Sequence, residues 1–157
     1  MRSIERDNLI KVFIQAEAHS ANRLRVNEST LQIQIEILLP MEHPWPYGFI
    51  LHTCAADGDG LDCFVITHTP LKAGSIVRCN PVGVLELWEG SEPDPKILAV
   101  PDGESTELPG ETHSTLSLFL FNLFTHFPDT ILRIGEILPA STAWDLIQGS
   151  KRTNTDP

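Results

Sequence analysis

Residues 47–68 read YGFILHTCAADGDGLDCFVITH and hold the densest group of acidic side chains in the first half of the chain. Two β-rich runs, 48–53 and 62–68, flank the acidic string Asp57-Gly-Asp-Gly-Leu-Asp62. Further β-rich runs follow at 75–79, 82–88 and 96–100, separated by Gly, Pro and Asp clusters. Several short strands at close spacing are typical of a small barrel.

Upstream of this stretch, apolar residues recur at every second position in two segments, 12–16 and 31–37, and in the second of them polar residues lie between. A period of two is that of a half-buried strand. Asn27-Glu-Ser-Thr30 lies between them and predicts a hairpin turn. Three prolines, at 40, 44 and 46, exclude regular structure until Tyr47.

Two helices are predicted downstream, where apolar residues recur every three or four positions. The first spans 112–126, with Thr112 or Ser114 as its N-cap. The second begins at a cap on Ser141 or Thr142 and ends at Gly149. Residues 116–124 are apolar nearly all round, unlike a one-faced surface helix. We therefore expect this helix to be buried in an interface.

The composition is that of an ordinary soluble domain. The chain has 157 residues, 41% of them hydrophobic, and a formal net charge of −10. We expect one domain over 1–149 and a flexible polar tail over 150–157. The negative charge argues against nucleic-acid and anionic-membrane partners, because phosphate groups need a basic face. The apolar runs fall short of a membrane span of about 20 residues, and the first residues resemble no targeting signal. A cytoplasmic location is therefore expected.

The cysteines and histidines predict no further site. Cys54, Cys63 and Cys79 lie in apolar runs without CxxC spacing, so we expect buried free thiols. The six histidines show no metal-ligand spacing, and only His52, beside the acidic string, is of interest.

The acidic string is costly without a cation, because neighbouring like charges raise each other's pKa or recruit a hard metal ion. It is not an EF-hand loop, since position six would be Asp62 instead of Gly and position twelve His68 instead of Glu. A plain acidic surface turn is the alternative. However, a second acidic group, Glu89, Glu92 and Asp94, precedes Lys96. Two carboxylate loops and a lysine are components of a metal-assisted phosphoryl-transfer site.

Five motifs, in order, resemble the family I soluble inorganic pyrophosphatases. They are YGFI at 47–50, DGDGLD at 57–62, PLKAG at 70–74, PVGVL at 81–85 and DPKILAVP at 94–101. The resemblance implies a mainly β fold with flanking helices, built on a five-stranded OB-type barrel. It also implies hydrolysis of inorganic pyrophosphate to two phosphates with Mg²⁺, or Mn²⁺ as an alternative. Bacterial members form hexamers, so we expect a homo-oligomer.

By position, the resemblance implies roles for eight side chains. Asp59 acts on the nucleophilic water, while Arg23, Tyr47 and Lys96 face the substrate. The expected metal ligands are Asp57, Asp62, Glu89 and Asp94.

The sequence departs from the family pattern mainly among the phosphate-binding positions. Gln15 stands where a glutamate is usual, Arg25 replaces a glutamate and Ile35 replaces an arginine. A tyrosine-lysine pair falls on Phe124 and Thr125. Because Arg23 and Arg25 are two apart on a predicted strand, we hypothesise that Arg25 substitutes for the arginine lost at Ile35. The alternative is that Arg25 is a solvated charge at the rim.

Three functions remain open on the sequence. The first is a pyrophosphatase, slow because part of its phosphate pocket is replaced. The second is a catalytically degenerate protein that binds metal, a phosphorylated ligand or a protein partner. The third is a hydrolase for another small diphosphate, whose organic group would contact Ile35 and Phe124.

Overall fold

The computed structural model describes residues 9–55, 58–127 and 129–151. These residues form nine strands and two helices. They are β1 (Ile10–Ala16), β2 (Asn22–Val26), β3 (Ile33–Leu38), β4 (Tyr47–Ile50), β5 (Asp62–Val65), β6 (Ile76–Glu89), β7 (Glu92–Pro93), β8 (Lys96–Pro101), α1 (Thr112–Phe124), β9 (Leu132–Pro139) and α2 (Ala140–Gly149).

Five strands close into a barrel, as predicted. They pair in the order β1-β4-β5-β8-β6, and β6 pairs back onto β1. All these pairs are antiparallel except β5 with β8. Gly48 is required between β1 and β4, because a Cβ there would collide with the carbonyl oxygen of Phe13. The barrel therefore depends on close backbone approach where the chain leaves the proline-rich segment.

The barrel strands are covered on both faces, which explains their nearly continuous apolar sequences. One buried cluster joins strand residues such as Val12 and Ile97 to Ala143 and Ile147 of α2. The other joins Phe64, Leu85 and their neighbours to four residues of α1: Leu116, Phe119, Leu120 and Leu123. Each helix closes one face of the curved sheet.

Strand β6 corrects one expectation. The sequence predicts separate runs at 75–79 and 82–88, but the structure has one strand of 14 residues. Pro81 does not end it, because the pairing with β8 shifts register between Pro81 and Gly83. An irregularity of this kind is where a strand tolerates proline. The first half of β6 pairs with β1 and the second with β9.

Strand β9 has no counterpart among the predicted elements. Its pairing with β6 shifts register between Leu85 and Leu87. The buried face therefore changes along β9, and its sequence shows no steady alternation. Glycine is needed at Gly135, where a Cβ would contact Glu86 and the Trp88 ring.

The predicted helix caps are wrong by a few residues. Glu111 occupies the N-cap of α1 and Pro139 that of α2, and neither makes a side-chain cap hydrogen bond. The Thr112 hydroxyl instead donates to the Pro109 carbonyl oxygen, at 2.7 Å. Helix α1 also ends at Phe124, two residues before the predicted end. It buries one face, while Leu118 and Phe121 are exposed on the other. Burial of that face in an interface stays a prediction.

The hairpin of β2 and β3 confirms the predicted turn but not the predicted burial. Asn27 N–H donates to the Gln32 carbonyl oxygen at 2.9 Å, and the strands pair through Arg25 and Ile35. However, Ile33 and Ile35 are 60% and 54% exposed. They pair as a separate two-stranded sheet, so β3 has no layer beneath it in this chain.

The structure also describes the three cysteines and the first residues of the predicted tail. Of the three thiols, all free, those of Cys63 and Cys79 are buried and that of Cys54 is partly buried. Thr53 pairs with Lys151 as an isolated bridge, and Cys54 N–H donates to the Ser150 carbonyl oxygen. The predicted tail is therefore tied to the chain at its first two residues, and residues 152–157 lie outside the described part.

No helix of the described residues is long and apolar enough to cross a membrane.

Candidate active site

The predicted acidic groups meet because β5 and β8 are parallel and begin side by side. Cys63 pairs with Ile97, which places Asp62 beside Lys96. The Lys96 Nζ atom lies 2.6 Å from Asp62 Oδ2 and 2.8 Å from Asp94 Oδ2. Lys96 is only 7% exposed, so the two carboxylates neutralise a buried ammonium group.

The surroundings of Lys96 and Tyr47 keep the lysine protonated and the tyrosine neutral. Burial alone would lower the pKa of Lys96, but the charges of its neighbours, Asp62 first and then Asp94, outweigh it and raise the pKa above its usual range. Burial also raises the pKa of Tyr47, and the Asp62 charge adds to this effect. Tyr47 shares a hydrogen bond with Asp62. The tyrosine hydroxyl therefore belongs to the carboxylate network.

Glu89 and Asp94 form a second carboxyl pair. A hydrogen bond to Asp94, with burial and the Asp94 charge, raises the pKa of Glu89 to about 7. Burial would raise the pKa of Asp94 too, but the Glu89 hydrogen bond and the Lys96 charge hold it below its usual value. The opposite shifts are those expected of two neighbouring carboxyls of which Asp94 lies beside the Lys96 ammonium and Glu89 holds the proton more tightly.

A cavity of about 670 Å³ collects most of the predicted site residues. Its lining includes Arg23, Tyr47, Asp59, Asp62, Glu89, Asp94 and Lys96. Asp59 lies on an exposed part of the loop before β5. Asp57, the remaining predicted metal ligand, lies outside the described residues. His52 is exposed and is not part of the cavity wall.

The β2–β3 hairpin supplies the cationic wall of the cavity. Arg23 and Arg25 both line it, as their spacing predicts. Two hydrogen bonds fix the hairpin over the barrel: Gly60 N–H donates to Glu28 Oε1 at 2.8 Å, and Gln15 Nε2 donates to the Leu24 carbonyl oxygen at 3.1 Å. The hairpin is thus attached both to the acidic loop and to β1.

The positions that depart from the family pattern are not all in the cavity. Gln15 and Phe124 line it, together with Phe127. Ile35 and Thr125 do not, and the Thr125 hydroxyl donates to the Asn122 carbonyl oxygen. The apolar residues here form a wall beside the charged groups.

His43 is a site residue that the sequence analysis missed. Its ring is fully buried, with Nε2 at 3.0 Å from Arg23 Nη2 and Nδ1 at 2.7 Å from the Ser20 carbonyl oxygen. Burial lowers the pKa of His43 to about 4, and the Arg23 charge adds to this, although the Ser20 hydrogen bond opposes it. The only signal in the sequence is its position four residues before Tyr47, between prolines.

The donor chemistry fits a hard divalent cation, but the described side chains do not form a closed metal cage. Asp62, Glu89 and Asp94 offer carboxylate oxygens to one cavity, the ligand type that such cations prefer. Within the described ranges, no three His, Cys, Asp or Glu side chains converge closely enough to hold one ion. The Lys96 ammonium lies between two of these carboxylates. A cation would therefore compete with Lys96 for the same oxygens.

Comparisons with known proteins identify the family. The family model of inorganic pyrophosphatase matches residues 10–133. The inorganic pyrophosphatase of Buchnera aphidicola subsp. Acyrthosiphon pisum is 33% identical over 125 residues, which are 76% of this chain and 69% of that protein. That of Buchnera aphidicola subsp. Baizongia pistaciae is 42% identical over 95 residues, 59% of this chain. This match spans only 54%, about half, of the relative's length.

The fold gives the same result. The crystal structure of an inorganic phosphatase from Anaplasma phagocytophilum superposes with a TM-score of 0.81 at 27% identity, covering 91% of each chain. The segment that the family model matches, residues 10–133, includes the five barrel strands, the hairpin and α1. The chain belongs to the family I inorganic pyrophosphatases.

Proposed function

We propose that this chain hydrolyses inorganic pyrophosphate to two phosphates with a divalent cation, Mg²⁺ foremost and Mn²⁺ as an alternative. The observation that carries the proposal is the cavity in which Asp59, Asp62, Glu89 and Asp94 face Arg23, Arg25 and Lys96. Carboxylates on one wall and arginines on another suit an anion that arrives with cations. The degenerate alternative is less favoured, because the family model and the matched relatives are those of inorganic pyrophosphatases.

The cations would be held by Asp57, Asp62, Glu89 and Asp94. When bound, they would lower the pKa of a coordinated water and neutralise charge on the leaving phosphate. Asp59 would accept a proton from the attacking water as its oxygen bonds to one phosphorus. The bridging P–O bond then breaks, and the second phosphate leaves with the bonding electron pair. Tyr47 orients Asp62 through their hydrogen bond.

On the substrate side, the arginines would bind phosphate oxygens. The guanidinium fork matches the geometry of phosphate and stays charged at all working pH values. Arg25 pairs directly with Ile35 across the hairpin, and this position supports the hypothesis that it replaces the lost arginine. Gln15 is hydrogen-bonded to the Leu24 backbone and contributes no charge. We therefore expect a working but slow enzyme, since each lost transition-state donor costs about 2.7–4 kcal/mol.

The test is phosphate release from pyrophosphate by the purified chain, with Mg²⁺, with Mn²⁺ and with a chelator. An Asp59→Asn variant prepared identically is the matched control, because it keeps the shape of the loop and exposes any contaminating host enzyme. The proposal predicts metal-dependent release by the wild type that falls at least about a hundredfold in the variant. Equal release by both proteins, or none above background, would reject the hydrolase.

A second candidate substrate follows from the aromatic wall. Phe124 and Phe127, with ring centroids 6.1 Å apart, line the same cavity as the arginines. Pyrophosphate has no apolar part to contact them, whereas an organic diphosphate has. The same assay with a nucleoside diphosphate separates the two: a higher kcat/KM than for pyrophosphate would favour the organic substrate.

Homo-oligomeric assembly and a cytoplasmic location remain predictions. Leu118 and Phe121 on α1 are 65% and 46% exposed, and Ile33 and Ile35 are exposed on the hairpin. Light scattering on the purified chain would measure the mass, and a hexamer is expected if the protein is bacterial.

A further inference from the structure

The ring of His43 is held in one orientation by a hydrogen bond and by the aromatic rings packed against it. Its backbone N–H and its Nδ1 atom both lie within hydrogen-bond distance of the Ser20 carbonyl oxygen, at 2.9 and 2.7 Å. The His19 N–H donates to the His43 carbonyl oxygen at 2.8 Å. The ring packs against Phe119 at 5.3 Å and is stacked on Tyr47 at 6.0 Å. With no exposed surface, it has little freedom to rotate.

Its hydrogen-bond partners require one tautomer. A carbonyl oxygen only accepts, so Nδ1 carries the hydrogen and donates it to Ser20. A guanidinium group only donates, so Nε2 accepts from Arg23, whose Nη2 and Nε atoms lie at 3.0 and 3.3 Å. Both partners are compatible only with the neutral ring protonated on Nδ1. A second proton on Nε2 would remove the acceptor and place two cations in contact.

Arg23 is thereby held in the cavity with donors to spare. Its Cζ atom lies 4.1 Å from the centre of the Tyr47 ring. Among the described residues, the salt bridges within 4.0 Å all belong to Lys96, so no carboxylate there neutralises Arg23. A guanidinium has five N–H groups, and His43 takes two of them. Among residues 9–55, 58–127 and 129–151 this guanidinium makes no other hydrogen bond, so three N–H groups are available for an anion in the cavity.

We propose that His43 is a positioning residue for the diphosphate: it does not touch substrate, but its Nε2 holds the Arg23 guanidinium over Tyr47 with its free N–H groups in the cavity. This inference rests on the proposed function, since it concerns how the same site binds its anion. An arginine fixed in advance loses less side-chain freedom when the substrate binds. The buried ring of His43 thus contacts both Tyr47 and Arg23 and fixes their positions relative to each other.

The variant His43→Phe separates the positioning role from a packing role. His43→Phe keeps an aromatic ring between Tyr47 and Phe119 and removes both ring nitrogens. The Ser20 carbonyl oxygen keeps the His43 backbone N–H as a donor, so no buried acceptor is left unpaired. Arg23 is partly exposed and can turn to water. The variant should therefore fold, and its effect should pass through Arg23.

The test is a double-mutant cycle on ligand affinity with wild type, His43→Phe, Arg23→Ala and the double variant. The probe is imidodiphosphate, a non-hydrolysable analogue, titrated calorimetrically in Mg²⁺. We expect His43→Phe to weaken binding about tenfold in the presence of Arg23, and to have no effect when Arg23 is already alanine. Equal weakening in both backgrounds, or none in either, would overturn the positioning role. A wild type that binds no diphosphate would overturn the proposed function and this role with it.

A ligand-free measurement separates the two failures. The ¹⁵N resonances of the His43 ring report which nitrogen is protonated at neutral pH. We expect a protonated Nδ1, a bare Nε2, and a displaced Nε2 resonance in Arg23→Ala. A proton on Nε2 of the wild type would rule out acceptance from Arg23, whatever the protein binds.

Discussion

Strands β1 and β3 have similar alternating sequences but opposite burial. In β1, five of the seven residues are buried, whereas in β3 five of the six are exposed. Strand β1 pairs with both β4 and β6 and is covered on its faces, while β3 pairs with β2 alone. The barrel thus carries the stability of the domain. The hairpin carries cationic groups of the site. The same alternating sequence pattern therefore occurs in a buried barrel strand and in an exposed strand beside the site.

The largest expected effect is on the barrel. Phe64 is fully buried between the sheet and α1. Phe64→Ala should lower the free energy of unfolding by about 3–5 kcal/mol, through lost transfer energy and a cavity. Ile35→Ala on the hairpin is the matched control and should cost less than about 0.5 kcal/mol at low protein concentration. Denaturant titration of both variants measures the difference. Equal losses would show that β3 is covered, as in an oligomer.

The next largest loss of stability is expected when the buried ammonium group of Lys96 is removed. Lys96→Met leaves Asp62 and Asp94 facing each other without their shared cation. Breaking such a pair costs about 3 kcal/mol here, the lower end for buried pairs, because both carboxylates keep some exposure. Lys72→Met, at an exposed position, is the control and should be nearly neutral. The comparison is contradicted if the two variants unfold at the same denaturant concentration.

Acid should destabilise the protein through His43. Its folded pKa of about 4 lies below the unfolded value of 6.5, so the unfolded state binds the proton more readily between these values. Stability is therefore lost as the pH falls from about 6.5 toward 4, by roughly 3 kcal/mol from this residue. Unfolding free energies measured across this window should fall less steeply for His43→Phe. Parallel curves would mean that the pKa of His43 is the same in the folded and the unfolded state.

The smallest effect is expected from removing an arginine of the hairpin, and it is an effect on binding. Arg25→Ala should weaken pyrophosphate affinity about tenfold while leaving stability unchanged. Arg78→Ala makes the same change at an exposed position on the barrel that is not part of the cavity wall, and should leave affinity unaltered. If Arg25→Ala binds like the wild type, Arg25 is a solvated rim charge.

The sequence predicts the barrel, the hairpin turn and the gathering of most site residues. The ordered motifs lie on β4, β5 and β8, and the register of these strands in the folded chain places Tyr47, Asp62 and Lys96 together. Burial of β3 could not be predicted, because alternation specifies a strand and says nothing of what lies beneath it. Strand β9 was missed because its register shift against β6 interrupts the alternation.

His43 shows a second limit of the sequence. A lone histidine without ligand spacing gives no functional signal, and this one matters only because folding brings Ser20 and Arg23 to its two nitrogens. The Lys96 contact with Asp62 is likewise set by parallel pairing and not by sequence spacing.

The most direct test of the central claim is a crystal structure of the chain with Mn²⁺ and imidodiphosphate. The claim is that one cavity, built from barrel carboxylates and hairpin arginines, binds both cation and diphosphate. We predict anomalous manganese peaks at Asp62 and Asp94, and a diphosphate in contact with Arg23 and Arg25. Manganese or diphosphate bound elsewhere, with this cavity filled only by water, would contradict the account.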